Sequence, residues 1–148
     1  MAGEKFTKYG ATRADLEAAW QDRLSDANAL YAANRSAAAI ASGLYALEIF
    51  LKARICKKLD LESLPRPFEI HDLDGLLVLS GLHRRMNSKP NRKTSVFRHW
   101  SNLLTWAQQL NELRYSPDTR YSRAQARIFL DHLSDPKDGV LTWLSKQR

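Results

Sequence analysis

Residues 36–55, SAAAIASGLYALEIFLKARI, decide how the chain is read. They are apolar on nearly every side of a helical projection, and a helix that is apolar all round belongs at the centre of a domain. Ala37, Ala38, Ala39, Ala41, Ser42, Gly43 and Ala46 keep this rod thin, so neighbours can approach closely. Ser36 is a candidate cap, and the helix is expected to run to about Leu59. Arg54, Lys57 and Lys58 mark a tail that emerges into solvent, where cations suit a helix C-terminus. Glu48 and Lys52 stand four residues apart in the favourable order for an ion pair. On so apolar a helix a lone charge is costly, so pairing gives them a structural use; lining a binding cleft is the alternative.

Working outward, the other segments are amphipathic. Upstream, Thr12 starts a helix with Asp15 three residues on, a capping-box-like arrangement. Leu16, Trp20, Leu24, Ala27 and Tyr31 form its apolar stripe, to about Asn34. Residues 1–11 carry no period and read as a flexible leader. Downstream, LESLPRPFEIHD holds two prolines and reads as an extended loop. A short helix is expected from Asp72 to about His83, burying Leu73, Leu76, Leu77 and Leu79. Residues 84–95, RRMNSKPNRKTS, are basic and proline-broken and read as an exposed loop. Ser95 is expected to cap a helix to about Leu113, with Val96, Trp100, Leu103, Leu104, Trp106, Ala107 and Leu110 on its apolar side. After the turn RYSPDTRYS, Ser122 caps a helix through Leu133. Asp135 and Pro136 then read as the N-cap and first residue of a last helix carrying Val140, Leu141, Trp143 and Leu144. No strand-like alternation and no internal repeat stands out. The reading is an all-α, up-and-down helical bundle of five to six helices, one domain over residues 12–148.

The chain's 148 residues suit one domain, and 44% hydrophobic with 26% charged residues excludes a wholly disordered one. The lone Cys56 precludes an intrachain disulfide and fits a reducing compartment. No signal peptide is read at the N-terminus, and Ala37–Leu51, interrupted by Glu48, is short for a bilayer span; a soluble, cytoplasmic protein with no membrane partner is expected. Cys56 lies among Arg54, Lys57 and Lys58, cations that lower a thiol pKa, yet no histidine is spaced to serve it as base. No P-loop, dinucleotide fingerprint or zinc-type spacing is present, so neither a cofactor nor a metal is expected. The four tryptophans, Trp20, Trp100, Trp106 and Trp143, fall on apolar stripes and read as core or dimer-interface residues. A net charge of +7 points toward an anionic partner.

The order of the features carries a resemblance. Ala46, Glu48, Leu51, Lys52 and Ala53 match an A-x-E-x-x-L-K-A helix, and His71, Leu73 and Leu76 match an H-x-L-x-x-L helix start. With the Arg114-Tyr115 to Arg120-Tyr121 turn before the last long helix, the chain resembles the HEPN superfamily over about residues 12–133. That resemblance implies a bundle that often pairs as a homodimer. Many members cleave RNA without metal, through an Arg-x(4–6)-His motif that both protomers bring to one cleft. Others are inactive and bind nucleotides, or serve as accessory subunits of nucleotidyltransferases. It implies Glu48, Lys52, His71, Arg114, Arg120 and Tyr121 as ligand-binding candidates.

Two Arg-x4-His spacings occur, Arg127 to His132 and, as the weaker candidate, Arg66 to His71. Arginine can hold a scissile phosphate and imidazole can move a proton. Five residues along one helix separate side chains by about 140°, so such a pair diverges within a helix and meets more naturally across a dimer seam. Ile128 and Pro67 follow the two arginines, where active relatives carry a polar residue. Surface arginines with a capping or packed histidine are the preferred reading for both. His71, beside Asp72, can also serve the helix N-terminus.

Charge placement gives the strongest functional lead. From Gly75 to Asn111 there is no aspartate or glutamate, while Arg84, Arg85, Lys89, Arg92, Lys93 and Arg98 crowd the window. Arg114, Arg120, Arg123 and Arg127 border Tyr115 and Tyr121. Arginine beside aromatic rings grips phosphates and stacks on bases, although charge runs also serve simply as solvated surface. The preferred reading is a HEPN-like protein that binds RNA or nucleotide with no dependable catalytic motif. A metal-independent endoribonuclease of toxin or defence type and an accessory subunit of a nucleotidyltransferase are the alternatives.

Overall fold

The computed structural model describes residues 10–148, so most of the expected leader lies outside the described residues. Just before the first helix, Leu64 donates its amide to the Ala11 carbonyl at 3.1 Å and Arg13 donates to Glu62 at 2.7 Å. Among the described residues the regular structure is all-helical: α1 (Arg13–Ala32), α2 (Ser36–Lys58), α3 (Leu73–Leu79), α4 (His83–Met86), α5 (Ser95–Gln108), α6 (Leu110–Tyr115), α7 (Arg123–Ser134) and α8 (Val140–Lys146). Three 3-10 turns, at Arg66–Phe68, Asn91–Lys93 and Asp118–Arg120, complete it.

The molecule is a helical bundle built around α2. Ile40, Leu47, Leu51 and Ile55 on α2 are fully buried, with Leu76 and Leu77 from α3, Trp100 and Leu103 from α5, Phe129 and Leu133 from α7, and Leu144 from α8. At α1–α2, the broadest pairing, the Ser42 hydroxyl donates to the Arg23 carbonyl at 2.8 Å. The thin stretch of α2 admits α7: a Cβ at Gly43 would stand 2.5 Å from the Phe129 ring. By length and composition α2 could cross a membrane, but 78% of its apolar window is buried in the bundle, as befits a core helix.

Among the described residues, eight helices stand where five or six were expected, because two segments break. The helix expected to reach His83 stops at Leu79, and Gly81, at φ +81°, turns the chain so that Leu82 and Met86 enter the core. Residues 84–95 are largely exposed, as expected, but carry short helical turns at His83–Met86 and Asn91–Lys93 and bury Met86. The helix from Ser95 ends at Gln108, and after Gln109 the chain starts α6, which sends Leu113 inward.

The caps divide in the same way. Thr12 accepts from the Asp15 amide at 3.1 Å, and Ser122 with Gln125 completes a reciprocal capping box. Ser36 does not cap α2 but is its first, buried residue. Asp118, 80 residues on, accepts from the Ala38 amide at 3.2 Å and lies 3.7 Å from Arg35. Thr94, not Ser95, caps α5. Asp135 opens no helix; its carboxylate takes the Lys137 and Asp138 amides in a turn, and α8 begins at Val140.

Candidate anion-binding surfaces

The corner made by α4, the Asn91–Lys93 turn and the start of α5 carries Arg84, Arg85, Lys89, Arg92, Lys93 and Arg98, all exposed. Its backbone is held from within: the Asn91 side-chain Nδ2 donates to the Met86 carbonyl at 2.7 Å and the Thr94 hydroxyl to the Asn91 carbonyl at 2.6 Å. A buried Met86 beneath and a charged rim above make this a fixed platform, not a floppy loop.

Arg85 also faces a second feature, a cleft of about 600 Å³ between the end of α2, the α3–α4 turn and the end of α8. Arg54, Lys57, Lys58, Arg85, Lys146 and Arg148 line it, and none of its lining residues is acidic among the described residues. The α2 tail shows as three cations at helical spacing, yet its meeting with Arg85 and α8 has no signal in sequence.

Three of the ligand candidates implied by the resemblance do come together. Glu48 on α2 bridges Lys52 Nζ at 3.1 Å and His71 Nδ1 at 3.1 Å. Lys52 is buried and Glu48 nearly so, while the His71 ring projects into solvent. Their polar atoms are engaged with one another, which fits the structural use of the pair. Along the same side of α2, the Arg114 guanidinium donates to the Tyr45 hydroxyl at 2.8 Å, beside a cavity between α2 and the turn after α6. Arg120 lies apart from these, beside a Tyr115 that is 86% exposed. Tyr121 packs edge-on against Trp106 with ring centroids 5.6 Å apart.

Among the described residues, Arg127 and His132 take separate partners. Arg127 reaches Asp131 at 3.3 Å and lies 5.9 Å from the Tyr31 ring on α1, next to Arg123 stacked on that ring at 4.2 Å. His132 turns inward and stacks on His99 of α5 with centroids 4.2 Å apart. Burial lowers the His132 pKa, with the neighbouring His99 adding to the effect. Arg66 sits exposed in its 3-10 turn, while the His71 ring is engaged by Glu48. Cys56 is buried, and burial raises its thiol pKa despite Arg13, so its basic sequence neighbours do not activate it.

Comparison with protein-family models, curated proteins and solved structures finds no match to the chain.

Proposed function

We propose that this protein is an RNA-binding helical bundle, HEPN-like in the up-and-down order of its main helices, that holds RNA without cutting it. The observation that carries this reading is continuity. Arg85 belongs both to the basic corner and to the cationic cleft, so the two form one positive surface, displayed on packed elements. Phosphate backbones are held by such lysine and arginine arrays, and the contacts release counterions. Tyr115, exposed between Arg114 and Arg120, offers a ring on which an unpaired base can stack. The pairing of Arg127 with Asp131 and the stacking of His132 on His99, which engage both groups within the chain, support binding over cleavage.

Electrophoretic shift of a single-stranded RNA in EDTA, over a salt series, tests the reading. Affinity is expected to fall steeply with salt, and Arg92→Glu with Lys93→Glu to lower both affinity and the salt slope, by about one unit per lost contact. Absence of any shift at low salt, or fragmentation of the RNA that His132→Ala abolishes, would overturn it.

A further inference from the structure

The cleft at the α2–α8 end has features that a general basic surface does not need. It is concave, and its volume of about 600 Å³ lies within the usual range for ligand sites of about 300–1,000 Å³. Its innermost cation, Arg54, is half-buried on α2. It donates to the Leu144 carbonyl at 3.0 Å and also to the Gln147 carbonyl, while Arg85 donates to the Gln147 side-chain oxygen at 2.8 Å. These are neutral acceptors: among the described residues, no carboxylate forms an ion pair with Arg54, Lys57, Lys58, Arg85, Lys146 or Arg148. Burial, and then the like charge of Arg85, lower the Arg54 pKa. The carbonyls therefore orient the guanidinium and leave its charge uncompensated.

A second observation concerns Lys58. Gly81 has φ +81°, and a Cβ there would stand 1.6 Å from Lys58 Nζ. Glycine both permits the turn and leaves the space that the ammonium occupies. The turn that ends α3 thus also seats a cation of the cleft.

We infer that the cleft binds a run of linked phosphates, as carried by a nucleoside triphosphate or by the 5′-triphosphate end of an RNA. One phosphate brings about two negative charges, which leaves most of the six basic side chains still repelling one another, whereas several linked phosphates concentrate a matching charge within one cleft. Arginine supplies fixed forks of donors and lysine supplies mobile point charges, the usual complement for such a chain. The inference rests on the RNA-binding reading and specifies what its cleft end grips, since Arg85 connects the two surfaces.

Calorimetric titration with inorganic tripolyphosphate is the primary test, with orthophosphate at matched ionic strength as the comparison. Tripolyphosphate is expected to bind at least about tenfold more tightly. Lys57→Gln and Lys146→Gln, both at exposed positions that leave the Arg54 contacts alone, are each expected to raise its Kd about tenfold, the loss of one charge-assisted contact. Arg23→Gln, on α1 and in neither the corner nor the cleft lining, is the control and should leave it unchanged. Equal affinity for the two anions, or weakening by Arg23→Gln and not by the cleft variants, would overturn the inference. Adenosine triphosphate and a pair of RNAs with 5′-triphosphate or 5′-hydroxyl ends then separate the two sources: a cleft-dependent preference for the triphosphate RNA assigns the RNA end, and cleft-dependent nucleotide binding without that preference assigns the free nucleotide. RNA retention without tripolyphosphate binding would sink this inference alone, and tripolyphosphate binding without RNA retention would sink the RNA-binding reading alone.

Discussion

The rings of His99 and His132 stack 16° from parallel with their centroids 4.2 Å apart, joining α5 to α7. His99 Nδ1 lies 3.0 Å from the Asp138 carbonyl oxygen, whereas His132 Nδ1 is buried without a hydrogen-bond partner among the described residues. Protonating His132 would put a charge where burial and His99 oppose it, with Asp131 and Asp138 compensating only in part.

A pH dependence follows, and its sign is definite. The folded-state pKa of His132 lies below its ordinary value of 6.5, so below that pH the unfolded chain binds more protons than the folded one. Stability is then lost as pH falls through 6.5 toward the folded value and is unaffected by this group above it. Thermal melting between pH 8 and pH 5 should show a falling Tm, and His132→Phe should flatten that fall. An unchanged slope in the variant would show that other groups set the acid sensitivity.

Gly43→Ala should destabilise the fold by about 1–3 kcal/mol, although alanine is the better helix former by about 1 kcal/mol. The added methyl group would meet the Phe129 ring at 2.5 Å and the Leu133 side chain at 3.1 Å, so α7 must move away from α2. Urea denaturation measures the change. A gain in stability would mean that the α2–α7 crossing relaxes freely.

Glu48→Ala should cost about 3–5 kcal/mol, because it leaves the Lys52 ammonium buried without its partner. Removing both charges, with Glu48→Leu and Lys52→Met together, should cost far less. If the single and double variants unfold at the same urea concentration, the pair is not what keeps Lys52 inside.

Asp118→Ala should lower stability by about 1 kcal/mol, the usual worth of a lost N-terminal cap. Its carboxylate receives the Ala38 amide of α2 from a turn 80 residues away. Hydrogen exchange should show the first turn of α2 opening more readily in the variant, with the exchange of α5 unchanged.

Much of the architecture was legible because helix formation is local. The all-round apolar run placed α2 at the centre, three- and four-residue spacing marked the faces of α1, α5 and α7, and Thr12 and Ser122 announced their helices within four residues of chain. The Glu48–Lys52 pair was also visible, being one helical turn long. Ser36, Ser95 and Asp135 misled because a capping residue type only offers an oxygen; which oxygen takes the amide depends on the path of the chain. Asp118 supplanted Ser36 from a distant turn, and Gly81 ended α3 early so that Leu82 and Met86 could be buried.

What the amino-acid order alone determined was therefore the all-helical class, the central rod and the excess of positive charge, since each depends on neighbours within a few residues. Only the tertiary structure decided which charges meet: it brought Arg54, Arg85 and Lys146 to one cleft and sent Arg127 and His132 to different sides of α7. The physical reason is that packing one apolar stripe against another fixes where every polar face ends up, and no local spacing records the rotation at which two helices come to rest.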